Sequence, residues 1–400
     1  MRLLSFAAMI SACLVAAVPS QLSAQQEDAA AIHEALLVLD THLDTPANLD
    51  RFGWKIGDRH NFAEDATQVD LPRMEEGGLD GGFWVIYTPH GLSDASALAH
   101  GLKRSAQIRG FIADDPEHFA LALTSADAAE IADSGRRIVY ISMENSSPVG
   151  YDLANLEMFH QMGVRMAGPV HSGTNQFADS ATGDPVHGGL SDLGKAWVRE
   201  MNRLGIVIDA SHASDAAFDD LLELSLAPII LSHSGPKAML DHPRNLDDDR
   251  MRALAAKGGV MQMNSLFLRP DNPDPETSEA GDAVEAAMQE YPDVQAELIA
   301  EYAALRATRW RSDADFDTFM EALLYAISVM GVDHVGIGAD WDGGGGVPGM
   351  EDITALPKIT QALLERGYSA DDIAKIWSGN VLRVLAGAEQ VAQDVRNTVP

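Results

Sequence analysis

The sequence predicts an α/β fold of the (β/α)8, TIM-like barrel type, and three observations carry that expectation. Short apolar, β-prone runs alternate eight times with longer stretches of helical pattern. The runs are continuously apolar, as strands buried on both faces of a parallel sheet must be. Most of them are followed at once by a His, Asp or Glu, and the C-terminal ends of barrel strands are where such groups converge.

The eight candidate strands are Leu36–Leu43, Gly82–Tyr87, Arg137–Met143, Val164–Val170, Ile206–Ser211, Pro228–Ser232, Val260–Asn264 and His334–Ala339. The connectors read as helices. Between the fifth strand and the residues before it, Ser191 can cap a helix whose Trp197, Met201 and Leu204 share one face, and Gly205 stops it. Ser214 can likewise cap a helix carrying Phe218, Leu221, Leu222 and Leu224 before Pro228. Eight strand–helix alternations are the number that closes a barrel. Residues 268–330 exceed a single crossover. They open on the polar run from Pro270 to Glu276 and continue with Ala, Glu and Leu in helical order, which predicts a helical insertion on a barrel loop.

The N-terminus is set apart. Met1-Arg2 carries one positive charge, Leu3 to Val18 is apolar or small, Pro19 breaks the run, and Leu22-Ser23-Ala24 has the small-x-small form of a cleavage site. This pattern predicts a signal peptide over 1–24, an exported (periplasmic or secreted) product, and one barrel domain over 25–400. Lipid anchoring through Cys13 is disfavoured, because the apolar run continues past it. Cys13 is the one cysteine of the sequence, so the mature chain has no thiolate to offer a metal. No later run reaches the length of a transmembrane helix.

Acidic residues number 60 against 28 Lys and Arg, for a net charge of -32. Nucleic-acid partners need clustered cations, so the balance argues against them. A solvated acidic surface accounts for the charge without naming a substrate.

The strand ends carry the chemistry. They supply His42 and Asp44, then Glu144, His171, His212, His233 and Asp340. His42 and Asp44 stand two apart on one strand and so face one side. A lone H-x-D has little weight, since chance gives about two such matches in this composition. The joint placement has more: several carboxylates and imidazoles buried together call for a cation. Imidazole with carboxylate suits zinc or another first-row divalent ion, and five ligands suit two ions sharing a bridge.

At these residues the sequence resembles the membrane (renal) dipeptidase family of zinc peptidases, within the amidohydrolase barrels. The resemblance spans the mature chain. It is carried by Asp40-Thr41-His42-Leu43-Asp44, Ile208-Asp209-Ala210-Ser211-His212, Ser232-His233-Ser234, Pro243-Arg244-Asn245 and Gly338-Ala339-Asp340-Trp341-Asp342-Gly343. The resemblance implies two Zn2+ ions, with His42 and Asp44 on one, His212 and His233 on the other, and Glu144 bridging. It implies a catalytic and substrate-contacting His171 at the scissile carbonyl. Arg244 would pair with the substrate's C-terminal carboxylate, and Asp340 would be the acid/base. It further implies dipeptide hydrolysis by a metal-bridging hydroxide, and a homodimer.

Two departures matter. Asn145-Ser146-Ser147 stands where the family often has Gly-Gly-His, and the 268–330 stretch reshapes the mouth. Two other functions compete with the dipeptidase reading. One is another amidohydrolase activity (deaminase, lactonase or phosphotriesterase), which would usually bring H-x-H and a carbamylated lysine. The other is an exported binding protein without chemistry.

Overall fold

The computed structural model describes residues 29–272, 274–290 and 292–398. The predicted signal peptide and Cys13 lie outside these residues. Ten strands form: β1 Leu39–Leu43, β2 Gly81–Tyr87, β3 Phe119–Leu121, β4 Arg137–Glu144, β5 Val164–Ala167, β6 Val207–Ile208, β7 Ile230–Pro236, β8 Asn245–Leu246, β9 Val260–Met263 and β10 Val335–Ile337. Two parallel paths run β1-β2-β4-β5-β6 and β10-β9-β7-β8. Parallel bridges Asp209↔Ile230 and Leu43↔Trp341 join them at both edges. The resulting ring is β1-β2-β4-β5-β6-β7-β9-β10, a closed eight-stranded barrel. Its members are the eight runs expected from the sequence. β3 and β8 lie outside the ring, on β4 and β7. At three and two residues they are too short to show a period in the sequence.

The two ends of the barrel differ in chemistry. Leu39, Ile138, Met166, Ile230 and Val260 form one apolar cluster with Val381, Val384 and Leu385 of the C-terminal helix Asn380–Thr398. Most of these stand at the starts of their strands, so that helix seals the N-terminal end with hydrocarbon. The opposite end is left for polar groups. The outer helices pack by a larger cluster that includes Trp84, Trp197, Phe218, Phe319 and Leu363.

Local rules set the connectors. Ser191 accepts from Gly194 N–H to cap the helix Asp192–Leu204, and Gly205 ends it in the left-handed region at φ +78°. Ser214 accepts from Ala217 N–H to cap Asp215–Leu224. Inside the barrel, backbone approaches backbone at Gly338. A Cβ there would meet the Ser232 carbonyl oxygen at 1.9 Å and Thr41 Oγ1 at 2.4 Å.

Residues 268–330 hold three helices: Pro275–Glu290, Pro292–Thr308 and Phe316–Met330. The third packs its buried Phe319, Leu323 and Ile327 on the barrel and is the ordinary crossover from β9 to β10. The added material is the first two helices. They pack on each other, and the second packs on the short helix Phe62–Asp65, over the open end of the barrel.

Two predictions follow from this packing. Gly338→Ala is expected to destabilise the chain by about 1–3 kcal/mol, because the Ser232 backbone carbonyl cannot yield, read from urea unfolding. His160 has its pKa lowered to about 4, first by burial and then by Arg165. An unfolded imidazole titrates near 6.5. The unfolded state therefore binds more protons between these values, and stability falls as pH drops from 6.5 to about 4. Thermal melts of His160→Gln are expected to lose less Tm than wild type across that window.

Candidate metal centre and active site

The candidate residues of the sequence meet at the polar end of the barrel. Glu144, the last residue of β4, is the hub. Its Oε1 lies 2.8 Å from His212 Nε2, 3.3 Å from His233 Nε2 and 3.6 Å from His42 Nε2. His171 Nε2 is 4.0 Å away. His42 Nε2 also stands 3.2 Å from Asp44 Oδ2. The ligating atoms of three triads lie within 4.8 Å of one another: His42–Glu144–His233, Glu144–His171–His212 and His42–Asp44–Asp340.

This donor set fits metal. His212 Nε2 and His233 Nε2 face each other at 2.9 Å, bringing two imidazole nitrogens to one volume. His42 Nε2 is buried without a hydrogen-bond partner. Such groups are satisfied by a cation between them. No lysine lines the cavity among the described residues, which removes the carbamylated bridge from consideration there.

Charge follows burial. Burial works against ionising Glu144, but His171, His42 and hydrogen bonds from His212 and His233 hold its pKa well below the ordinary value. Burial, then Arg244 and His171, lower His212; burial, then His42, lower His233. Both imidazoles stay neutral, the form that ligates metal. Burial, against His42 and with Asp44 and Glu144, pushes Asp340 up to about 7.

An outer layer of polar residues orients the imidazoles. Ser232 Oγ stands 2.8 Å from His233 Nδ1 and 3.4 Å from His42 Nδ1, and donates to Asp209 Oδ2 at 2.5 Å. Asp209 Oδ1 accepts from Ser211 Oγ and from Ser232 N–H. Asp40 accepts from His42 N–H at 2.8 Å and from Ala339 N–H at 3.0 Å, tying β1 to the end of β10. These residues had no assigned role in the sequence. A signal was available: Asp40, Asp209 and Ser232 are the polar breaks inside otherwise apolar strand runs.

Arg244 is buried, with Nη2 donating to the His233 carbonyl at 3.0 Å. No carboxylate of the described residues lies within 4 Å of it. Burial lowers its pKa to about 10, so it stays cationic at neutral pH. A surface ion pair is therefore not its role.

Backbone geometry at the site is constrained. Asn145 (φ +66°), Asp340 (φ +68°) and Asp342 (φ +64°) are left-handed. The first accounts for a departure noted above, since Asn tolerates the left-handed region that a glycine would otherwise fill. Asn145 donates to the Thr88 carbonyl and accepts from Ser147 Oγ at 2.7 Å. At Gly343 a Cβ would meet Asp44 Oδ2 at 2.1 Å and Asp340 Oδ1 at 2.2 Å, so the loop rests directly on the two carboxylates.

The whole stands at the floor of a cavity of about 620 Å³. Its roof is formed by Val284 and Met288 of Pro275–Glu290 and by Tyr302 and Arg306 of Pro292–Thr308.

Residues 26–399 match the family model described as membrane dipeptidase, peptidase family M19. The chain belongs to the membrane dipeptidase family. It is 31% identical to a dipeptidase of Claviceps purpurea over 87% of this chain and 76% of that one. The crystal structure of the probable dipeptidase PvdM from Pseudomonas aeruginosa superposes with a TM-score of 0.79 at 30% identity, covering 92% of this chain and 99% of that chain. A metallopeptidase from Rhodobacter sphaeroides, liganded with a phosphinate mimic of L-Ala-D-Ala, gives 0.72 at 26% identity over 88% and 99%. As in this family, the chain is a metal-dependent peptide hydrolase.

Ser232→Ala removes the hydroxyl between Asp209 and His233. It is expected to weaken divalent-metal affinity about 10–100-fold, measured by competition with a chromophoric chelator, without loss of the folded far-UV spectrum.

Proposed function

We propose that the chain is a dipeptidase using two zinc ions, one held by His42 and Asp44, the other by His212 and His233, with Glu144 bridging. The observation that carries this reading is Glu144 Oε1 within 3.6 Å of three imidazole nitrogens delivered by three different strands. Two bound ions supply an activated water and polarise the scissile carbonyl.

The remaining work falls to residues of the chain. Arg244 offers a guanidinium without a carboxylate partner from the β7 side, the fork that matches the substrate's C-terminal carboxylate. His171 lies on the rim between Tyr87 and His212, at ring-centroid distances of 5.0 and 4.3 Å, and hydrogen-bonds the carbonyl oxygen as charge develops on it. Asp340, buried beside Asp44 and His42, takes the proton from the attacking water and returns it to the leaving amine. The roof helices limit the cavity to small substrates.

Export through the signal peptide over 1–24 is part of the proposal, supported by the N-terminal sequence pattern. Among the described residues no helix is long and apolar enough to cross a membrane. The homodimer implied by the resemblance is tested by sedimentation of the purified chain.

Purified enzyme with added zinc is expected to hydrolyse members of a dipeptide panel and to leave N-acylated dipeptides intact. Chelation should abolish the activity and zinc should restore it. Glu144→Gln is expected to hold less than one equivalent of metal. Asp340→Asn should keep its metal and lose about 100-fold or more in kcat. Arg244→Met should lose roughly 100-fold in kcat/KM. Full activity in Glu144→Gln would sink the assignment.

A further inference from the structure

The cavity extends past the metal centre. Arg244 reaches it from β7, while on the side of β1 and β10 the wall is built from Arg51, Gln68, Asp342 and Gly344, with Tyr302 and Arg306 above. If a dipeptide put its C-terminal carboxylate on Arg244 and spanned the centre, its N-terminal residue would extend toward this wall, with Asp44 and Asp340 available to its ammonium.

Five arginines line the cavity: Arg51, Arg104, Arg244, Arg306 and Arg311. Arg104 pairs with Asp50 at 2.7 Å and Arg311 with Asp271 at 2.7 Å. Among the described residues neither Arg51 nor Arg306 has a carboxylate oxygen within 4 Å of its guanidinium. Acidic residues outnumber basic ones 60 to 28, so an arginine without a carboxylate partner runs against the composition.

Both guanidiniums are held by neutral groups. Arg51 Nη1 donates to the Asp65 carbonyl at 2.7 Å, and its Nε is buried without an acceptor. Arg306 sits over the rings of Phe62, Tyr302 and Trp310 at 5.7, 5.9 and 5.8 Å. Its Nη1 donates to Tyr302 Oη at 3.1 Å and its Nη2 to the Gly345 carbonyl at 3.4 Å, while Nε is buried without an acceptor. Aromatic faces and carbonyls fix each guanidinium in place without a carboxylate in direct contact, although burial of Arg51 is partly offset by the more distant Asp342 and Asp65. Gln68 stiffens the same wall, exchanging hydrogen bonds of 2.7 Å with Asp342 and donating to the Gly345 carbonyl at 2.9 Å.

We propose that Arg51 and Arg306 form a subsite for an acidic side chain on the N-terminal residue of the dipeptide, giving the enzyme a preference for N-terminal Glu or Asp. This rests on the dipeptidase reading and adds the substrate class. Glu285, on the other roof helix, also lines the cavity, but it is solvent-exposed and lies toward Tyr87 at the end of β2. A basic side chain would be its partner, which makes Lys the discriminating control.

The test is kcat/KM of the zinc-loaded full chain on Glu-Ala, Gln-Ala and Lys-Ala, each with L- and D-alanine. Gln is the neutral isostere of Glu. The expected ratio of Glu-Ala to Gln-Ala is about tenfold or more. Arg51→Met and Arg306→Met should each bring it toward one, and Arg306→Lys should keep part of it. A ratio taken within one preparation is independent of the fraction folded. A wild-type ratio at or below one, or faster cleavage of Lys-Ala, would overturn the subsite while leaving the dipeptidase intact. A preference that survives both Met substitutions would also overturn it. No cleavage of any dipeptide by metal-loaded protein would overturn the dipeptidase reading itself.

Discussion

The structure turns on a buried carboxylate, Glu144, shared among three imidazoles. Removing a carboxylate from water is costly unless positive charge or hydrogen-bond donors replace the lost solvent. Here the replacement comes from His42, His212 and His233 on three other parts of the ring, so the cluster exists only when the barrel is closed. Without a metal, the same arrangement keeps His212 and His233 neutral and Glu144 ionised, while burial of His42 is outweighed by Glu144 and Asp44, which favour a proton on it that a divalent ion would displace.

The rest of the molecule supports that arrangement. The C-terminal helix seals one end of the barrel with hydrocarbon, and the candidate catalytic polar groups gather at the other end. Asp40, Asp209 and Ser232 then fix the imidazoles through their backbone and Nδ1 atoms. Above them the two added helices contribute both apolar surface and Arg306. The barrel thus holds the metal-ligand candidates, and the added helices line the cavity above them.

Much of this was legible in the sequence. Parallel strands buried on both faces leave continuous apolar runs, and all eight ring strands were found in that way. The caps at Ser191 and Ser214 were found because a hydroxyl before an apolar 3.6-residue period is a local signal. β3 and β8 were not, being too short to carry a period. The 268–330 stretch was seen as one insertion, although its last helix, Phe316–Met330, is the regular crossover. Helical periodicity alone does not say which helix packs on a strand.

The sequence by itself determined the strand–helix alternation, the chemical types gathered at the strand ends and, through its motifs, the family. These are encoded within a few neighbouring residues, where period, capping and composition act. Tertiary structure alone decided which nitrogens meet Glu144, that Arg244 is buried without a carboxylate partner, and that Arg51 and Arg306, far apart in sequence, line one cavity. Those facts depend on contacts between residues up to hundreds of positions apart, and only closure of the ring and docking of the roof helices bring them together.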